Sequence, residues 1–390
     1  MTGGIGTGGD IVVVGGSVAA VTAADALRQH GHEGSITVVS EERHAPYVRP
    51  PLSKGMLKGT ETPESVFISP LRADVDFRTG SRAVGLDRGR RRVLLDGGEE
   101  LPYDGLVVAS GARARRLRPY DPQAGDAGEL VVRDLDDAVR LRAIFAEAAS
   151  LIVVGGGFLG MEIASTARGL GLDVTVVDQD PPLVRQFGAF LAEHMTRAAL
   201  DEGVRLVRAP GGVELPGDGR PTAVRTSEGE LLEADVVVSA VGDLPNVEWL
   251  ADAGLGGPAG LLVDERCRVA PGIVAAGDVV ARVSERTGRP RRSPHWGSAI
   301  AQARSAAMAL LMGDEAPAYR PSPYYWTEQW GLDIKVCGEI MPGSTLNILT
   351  GSLEARSALI QWTRDGAPVA AATVNHRTPL AKLRKIATTP

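Results

Sequence analysis

The chain has 390 residues, of which 44% are hydrophobic and 23% are charged, and its formal net charge is −6. This length and composition are sufficient for two or three globular domains with cores of their own. The negative charge argues against a nucleic-acid-binding protein, and no apolar run is long enough to cross a membrane. The two cysteines, Cys267 and Cys337, stand in no metal-ligand spacing, so we predict no metal site and a reducing, cytoplasmic location.

The first predicted element is a strand that ends in a glycine turn and leads into a helix. The β-branched run IVVV at 11–14 precedes Gly15, a second glycine and Ser17, and then small and apolar residues at helical spacing. This order is typical of a dinucleotide-binding motif, because the helix start offers unpaired N–H groups and a positive dipole to a pyrophosphate. A second strand, SITVVSEE at 35–42, ends in acids where a ribose is expected to lie.

The same pattern returns after a segment that we interpret as a domain crossing. A strand is predicted in YDGLVVASGA at 103–112, followed by the Arg-, Pro- and Gly-rich residues 113–128 and a helix at 135–149. The run LIVVGGGFLGMEIAS at 151–165 then repeats the first motif at a distance of 140 residues. That distance is too long for a solenoid repeat and indicates a duplicated α/β domain.

The second motif is complete and predicts an NADH site. Its glycines are Gly155, Gly157 and Gly160. Asp178 ends the next predicted strand about twenty residues on, where an acid binds a ribose 2′-hydroxyl. This carboxylate would repel a 2′-phosphate, and the next residue is glutamine rather than arginine, so NADPH is the less favoured nucleotide. Arg185 leaves the strictness of that preference open.

The later elements complete an α/β chain with a different C-terminal part. Strands are predicted near 235–241 and in GIVAAGDVV at 272–280, and a long alanine-rich helix is predicted at 295–313. The runs LDIKVCGEI, SALIQWT and VAAATV alternate in polarity and indicate an antiparallel sheet. The predicted fold class is therefore α/β, with two Rossmann-like dinucleotide-binding domains and a C-terminal α+β domain that contains an antiparallel sheet.

The order of these motifs resembles that of the FAD-dependent pyridine nucleotide reductases, which have a glutathione-reductase-like fold. Within them the chain is most similar to the ferredoxin reductases that serve cytochromes P450 and Rieske oxygenases. The runs that carry the resemblance are RPPLSK at 49–54, VAAGDVV at 274–280, HWGSAIAQAR at 295–304 and YYWTEQWGLDIKVCGE at 324–339. The resemblance implies an FAD-binding domain at 1–115 and 245–320, an NAD-binding domain at 116–244 and a C-terminal domain at 321–390.

The resemblance also implies the residues of the site. Lys54 matches the family's lysine beside the flavin N5, and Glu162 matches the acid that pairs with it, so these two are the predicted catalytic residues. In the first motif, serine replaces the second glycine of the usual fingerprint, which relatives also tolerate. The other predicted cofactor-binding residues are Gly15, Ser17, Glu41, Arg49, Ala109, Arg133, Gly155, Gly157, Gly160, Asp178, Gly242, Gly277, Asp278, Trp296 and Trp326.

The function that the resemblance implies is that of an NADH:ferredoxin reductase. It would take a hydride from NADH onto FAD and pass single electrons to a [2Fe-2S] ferredoxin or another small iron–sulfur protein. A flavin is needed between them because nicotinamide gives two electrons at once and an iron–sulfur cluster accepts one. The run APYVRPPLSKG at 45–55 contains no cysteine, which argues against a thiol-dependent reductase.

Two alternatives stay open at this level. The first is a flavin dehydrogenase or oxidase with a small-molecule, quinone or oxygen acceptor, and the second is a redox-sensing protein of the apoptosis-inducing-factor type. A monomer and a homodimer are both compatible with the sequence. A docking face for the iron–sulfur protein near Trp326 or Trp330 is predicted to be framed by arginines, which could equally be solvated surface charges. They are Arg289, Arg291, Arg292 and Arg304.

Overall fold

The computed structural model describes residues 3–68, 72, 74–119, 128–284 and 287–389. By their contacts they group into two compact units. The first unit comprises Met1–Val48, Phe67–Arg113 and Leu244–Ser322, and the second comprises Arg49–Val66, Ala114–Asp243 and Pro323–Pro390. Residues 120–127 of the predicted domain crossing lie outside the described residues. Within the described ranges, no helix is long and apolar enough to span a membrane.

The described residues form seven α-helices, four 3-10 helices and twenty-six strands. The helices are α1 (Val18–Gln29), α2 (Gly55–Lys58), α3 (Leu135–Phe145), α4 (Phe158–Gly169), α5 (Val184–Asp201), α6 (Trp296–Met312) and α7 (Leu380–Thr388), with 3-10 helices at Pro50–Ser53, Glu64–Val66, Glu248–Ala253 and Gly313–Glu315. The first strands are β1 (Ile11–Val14), β2 (Ile36–Val39), β3 (Asp76–Arg78), β4 (Ala83–Asp87), β5 (Arg92–Leu95), β6 (Glu100–Pro102), β7 (Gly105–Val108), β8 (Ala112–Ala114), β9 (Ser150–Val154), β10 (Asp173–Asp178), β11 (Arg205–Arg208), β12 (Val213–Glu214) and β13 (Ala223–Thr226). The later strands are β14 (Leu231–Glu233), β15 (Val236–Ser239), β16 (Asp243–Pro245), β17 (Leu261–Leu262), β18 (Arg268–Ala270), β19 (Ile273–Ala275), β20 (Val280–Val283), β21 (Pro290–Arg292), β22 (Tyr324–Gln329), β23 (Leu332–Gly338), β24 (Thr345–Ser352), β25 (Ser357–Arg364) and β26 (Ala367–Val374).

The first unit is built on a six-stranded sheet with the order β18-β19-β7-β1-β2-β3. All neighbours in it are parallel except β18, which runs antiparallel to β19. Helices α1 and α6 pack on one face, where their alanines let the two helices approach closely. The sheet β4-β5-β6 and the 3-10 helix Glu248–Ala253 cover the other face. Burial on both faces explains why β1 and β7 are continuous apolar runs without alternation.

The second unit repeats the central part of this arrangement. Its parallel sheet has the order β11-β10-β9-β15, and α4 follows β9 as α1 follows β1. Val154 pairs with Val177 as Val14 pairs with Val39, so the two strand pairs end at equivalent positions. The same unit contains a five-stranded antiparallel sheet, β22-β23-β26-β25-β24, on which α7 packs. The predicted α/β fold with a C-terminal antiparallel sheet is confirmed.

Candidate functional site

The turn after β1 is shaped by a glycine that no other residue can replace. Gly15 has a φ of +127°, and a Cβ atom on it would lie 2.0 Å from the carbonyl oxygen of Ala109, the residue that follows β7. A side chain would therefore collide with backbone and force a conformation that L-residues avoid. Ser17 is the N-cap of α1, and no side chain caps the first turn of this helix. Its N–H groups are suited to a phosphate.

A second helix start lies beside the first. Gly277 has a φ of +88°, and a Cβ on it would lie 3.1 Å from the Cβ of Ala19 and 4.0 Å from that of Ala299. The turn that carries Gly277 and Asp278 thus lies against the first turns of both α1 and α6. Trp296 is the first residue of α6 and is half-buried. Five predicted FAD-binding residues of the first unit, Gly15, Ser17, Gly277, Asp278 and Trp296, are therefore on elements that meet at one place.

The acid predicted to bind a ribose in the first motif lies slightly off the expected register. Ser40 directly follows Val39 of β2, just as Asp178 directly follows Val177 of β10, so Ser40 occupies the position equivalent to Asp178. A Cβ on Gly16 would lie 2.2 Å from the Ser40 hydroxyl oxygen. Glu41 is one residue further along, with its side chain 67% exposed and 3.9 Å from an Arg82 nitrogen. Its role as a ribose ligand stays a prediction.

The second motif has the same construction with tighter packing. A Cβ on Gly155 (φ +111°) would lie 2.3 Å from the Ala240 carbonyl oxygen, and one on Gly160 would lie 1.8 Å from the Gly155 carbonyl oxygen. Gly157 is the N-cap of α4, again without a side-chain cap. Gly242 follows β15 with a φ of +102° and open space where a Cβ would be. The chain can thus approach a pyrophosphate closely at this point.

The carboxylate at the end of β10 is held in place by backbone. The Gly156 N–H donates to Asp178 Oδ2 at 2.5 Å, and the Asp180 N–H donates to its Oδ1 at 3.2 Å. Arg185, the cation that left the nucleotide preference open, is paired with Asp180 at 2.5 Å. Sequence reasoning missed Arg208, which pairs with Asp178 in the β10–β11 ladder and donates from Nε to the Gln179 carbonyl.

The two predicted catalytic residues form an ion pair. Lys54 lies between the 3-10 helix Pro50–Ser53 and α2, and Glu162 lies in the second turn of α4. Lys54 Nζ is 2.6 Å from Glu162 Oε2, with side-chain exposures of 17% and 8%. Pairing of this kind is what keeps two opposite charges stable at low exposure. The pair belongs wholly to the second unit.

Two further polar groups bind the same carboxylate, and sequence reasoning missed both. The Ser53 hydroxyl donates to Glu162 Oε2 at 2.6 Å and the Thr327 hydroxyl donates to Oε1 at 2.7 Å. Both residues are almost fully buried. The only sequence signal was their place inside RPPLSK and YYWTEQW, since a buried hydroxyl has to find a hydrogen-bond partner.

The predicted arginines of the second unit are also brought together. Arg49 Nη1 donates to the carbonyl oxygen of Arg133 at 2.6 Å, and the Arg133 N–H donates to Asp137 Oδ2 at 2.8 Å. Burial raises the pKa of the Asp137 carboxyl to about 6.

Trp326 stacks on Tyr324, with ring centroids 5.6 Å apart, and points to the opposite side of β22 from Thr327.

The family is decided by a match over most of the chain: residues 9–303 fit the family described as pyridine nucleotide-disulphide oxidoreductase. The chain belongs to this family. It is 33% identical over 384 residues to the 3-phenylpropionate/cinnamic acid dioxygenase ferredoxin–NAD(+) reductase component of Photorhabdus laumondii, covering 97% of this chain and 96% of that protein. It is 36% identical over 353 residues to rhodocoxin reductase of Rhodococcus erythropolis, covering 88% and 81%.

A solved structure extends the match to three dimensions. The covalent putidaredoxin reductase–putidaredoxin complex superposes with a TM-score of 0.84 at 29% identity, covering 97% of this chain and 93% of that one. The predicted resemblance to ferredoxin reductases and the predicted fold class are confirmed. As a pyridine nucleotide-disulphide oxidoreductase, the chain is an oxidoreductase.

The disulphide chemistry in the family name has no reactive thiol in this member. Cys267 and Cys337 are both buried and unbridged. Burial raises the pKa of the Cys267 thiol to about 12 and that of the Cys337 thiol to about 11. Both are therefore protonated at neutral pH, whereas electron transfer through sulfur needs a thiolate.

The two tryptophans near the predicted electron exit differ in their surroundings. Trp330 is 4% exposed and its indole N–H donates to Gln329, so it is a core residue rather than part of an outer face. Trp326 is half-buried in β22.

In the part of the chain that the structure describes, no group of three or more His, Cys, Asp or Glu side chains could hold a metal ion.

Proposed function

We propose that this chain is an FAD-dependent NADH:ferredoxin reductase, which takes a hydride from NADH and passes single electrons to an iron–sulfur protein. The observation that carries the proposal is the Lys54–Glu162 ion pair, whose carboxylate lies on α4, the helix whose start forms the second dinucleotide motif. The name of the Photorhabdus laumondii relative, a ferredoxin–NAD(+) reductase component, supports the same acceptor. The iron–sulfur protein would serve a cytochrome P450 or a Rieske oxygenase.

The residues present fit two dinucleotides. Backbone carbonyls occupy the space of a Cβ at Gly15 and Gly155, and the helix that follows each glycine turn lacks a side-chain cap. Both features are suited to a pyrophosphate. FAD, when bound, would accept two electrons from NADH and release them singly. The first motif would hold FAD in the predicted domain at 1–115 with 245–320, and the second would hold NADH in the predicted domain at 116–244. The predicted C-terminal domain is at 321–390.

The chain's own residues do little proton chemistry in this proposal. The glycine turns and helix starts bind and orient the two nucleotides, and orientation alone supplies a large part of the rate of a hydride transfer. Lys54 would place a cation where negative charge develops as the flavin is reduced, and Glu162 would fix the position of that cation. A cytoplasmic location and a monomeric or homodimeric state are part of the proposal.

The acceptor is tested by its salt dependence. We expect turnover with [2Fe-2S] ferredoxins to fall between 0.05 and 0.5 M salt, because charges steer encounter and the Debye length is only about 10 Å at 0.1 M. Direct flavin reduction by NADH should change little. The exposed arginines Arg289, Arg291 and Arg304 would supply the charge, so the triple change to Gln should flatten the salt dependence, and the same change at Arg205, Arg225 and Arg197 should not.

One outcome of this assay would decide for a small-molecule acceptor. If a broad panel of ferredoxins gives no salt-sensitive stimulation while a quinone is reduced rapidly, the iron–sulfur acceptor is wrong. A charge-transfer complex that persists for minutes with negligible turnover on every acceptor would instead identify a redox-sensing protein.

The nucleotide preference is tested at the end of β10. We propose that NADH is preferred to NADPH, since Asp178 is fixed by the Gly156 N–H and would repel a 2′-phosphate. Asp178→Ala should lower kcat/KM for NADH by roughly 10-fold, as expected for loss of a hydrogen bond to a charged group, and raise kcat/KM for NADPH. Adding Gln179→Arg should reduce the difference between kcat/KM for NADH and kcat/KM for NADPH further.

Two controls make this measurement specific. Asp173→Ala removes a carboxylate from the other end of the same strand, where the side chain is 92% exposed, and should change neither value. Arg208→Ala in the Asp178→Ala background should lower kcat/KM for NADPH again, because Arg208 is the cation beside that position. A wild-type kcat/KM that is higher for NADPH would overturn the preference.

A further inference from the structure

The carboxylate of Glu162 accepts three hydrogen bonds in a buried place. Lys54 Nζ and the Ser53 hydroxyl both lie 2.6 Å from Oε2, and the Thr327 hydroxyl lies 2.7 Å from Oε1. Glu162 is 7% exposed, Ser53 3% and Thr327 0%. Since water cannot reach the carboxylate freely, these protein groups determine its orientation.

The contact at Oε1 is the end of a longer chain of hydrogen bonds. The Gln329 amide nitrogen lies 3.0 Å from the Thr327 hydroxyl oxygen, and the Gln329 amide oxygen lies 2.9 Å from Trp330 Nε1. Gln329 is 3% exposed and Trp330 4%. The four side chains therefore form one buried row: Trp330, Gln329, Thr327 and Glu162.

The chemistry of the indole fixes the direction of every proton in this row. Trp330 Nε1 can only donate, so it is the Gln329 amide oxygen that faces it and the amide NH₂ that faces Thr327. The Thr327 oxygen then accepts from Gln329, and its single proton is free only for Glu162. A row that delivers a proton donor to Oε1 fixes the orientation of the Glu162 carboxylate.

The far end of the row is anchored to the helix that carries Glu162. The Trp330 N–H donates to the Ser165 hydroxyl at 2.9 Å, and Ser165 is three residues after Glu162 on α4. Trp330 and Gly331 form the two-residue turn between β22 and β23, with φ values of +54° and +67°. A bulky residue adopts such a φ only when its surroundings hold it there. Arg356, which donates to the Trp330 carbonyl, is part of that hold.

We infer that Thr327 and Gln329 are positioning residues, which use the fixed indole of Trp330 to hold the Glu162 carboxylate in its orientation toward Lys54. They act through Glu162 and Lys54 and are not catalytic themselves. The inference rests on the proposed function, because it assigns a purpose to the ion pair that carries that proposal. It concerns residues of β22 and the β22–β23 turn that are more than 160 positions away from Glu162 in sequence.

The first test compares two changes at Thr327. Thr327→Val keeps the shape and removes the hydroxyl, and should slow the stopped-flow reduction of bound FAD by NADH roughly 10-fold, as the loss of a hydrogen bond to a charged group does. The Kd for NADH should stay the same. Thr327→Ser keeps the hydroxyl and should restore the rate to within about 2-fold of wild type. Thr350→Val, an exposed threonine on β24 of the same sheet, should change nothing.

The second measurement does not depend on turnover. In protein with ¹⁵N-labelled tryptophan, the Trp330 indole N–H should exchange with solvent at least several-fold faster in Thr327→Val than in Thr327→Ser, with and without FAD, because Gln329 has lost its acceptor. If Thr327→Val does not fold, Gln329→Met breaks the same row at its centre and should slow flavin reduction by a similar factor.

The possible outcomes separate this inference from the proposed function. If Glu162→Gln leaves flavin reduction unchanged, the proposed role of the ion pair is wrong. If Glu162→Gln slows flavin reduction but Thr327→Val and Thr327→Ser behave alike in both measurements, the ion pair is functional and the row from Trp330 is not. A slow Thr327→Val with rescue by Thr327→Ser and the expected indole exchange supports the inference.

Discussion

Lys54→Met is expected to slow the reduction of bound FAD by NADH on the order of 10- to 1,000-fold, the range seen when one positioned charge or donor is lost. Methionine keeps most of the aliphatic length of lysine and removes the ammonium group. In the proposed reaction the flavin would lose a cation that stabilises its electron-rich reduced form, and Glu162 would lose its charge partner at 2.6 Å. Single-turnover stopped flow at saturating NADH measures the effect directly, and the FAD content should remain that of wild type.

A nearby lysine at the other end of α2 gives the control. Lys58 ends α2, four residues after Lys54, and its side chain is exposed. Lys58→Met should leave the reduction rate within experimental error, because a solvated charge contributes little. An unchanged rate in Lys54→Met would remove this residue from the site. Lys54→Met could also unfold the protein, because it leaves the buried Glu162 carboxylate unpaired. The double variant Lys54→Met, Glu162→Gln removes both charges and distinguishes this unfolding from the loss of the cation.

Gly15→Ala is expected to abolish FAD binding. The added methyl would lie 2.0 Å from the Ala109 carbonyl oxygen, at a φ of +127°. Overpacking alone costs about 1–3 kcal/mol, and here it acts on backbone at the turn that we propose faces the pyrophosphate. We expect the purified variant to be colourless, with an FAD Kd raised at least 100-fold, which flavin fluorescence titration would show.

A second glycine of the same unit serves as the comparison. Gly97 lies in the turn between β5 and β6, with nothing within 4 Å of a Cβ built on it and no positive φ. Gly97→Ala should bind FAD normally and unfold at nearly the wild-type temperature. Full FAD occupancy in Gly15→Ala would show that the first motif is not the flavin site.

The two dinucleotide motifs could be derived from sequence because each is local. Gly15 and Gly155 follow β-branched runs directly, and the turn, the helix start and the next strand depend on residues within about thirty positions. The antiparallel sheet at the C-terminal end was predictable for the same reason at β23, where alternation sets the buried face, whereas β26 is buried on both faces from Ala370 to Val374. The pairing of Lys54 with Glu162 was predicted only from the resemblance to the ferredoxin reductases, because the two residues are 108 positions apart.

The surroundings of that pair were decided by tertiary structure alone. Nothing local distinguishes Thr327 from another strand threonine, yet the packing of β22 on α4 places its hydroxyl 2.7 Å from Glu162. The same holds for Ser40, which parallel pairing of β1 with β2 places at the position that Glu41 was predicted to fill. Sequence determines where a strand, turn or helix forms, because those choices depend on neighbouring residues. Which buried polar groups become partners depends on how distant elements pack, since each must find a partner wherever the fold excludes water.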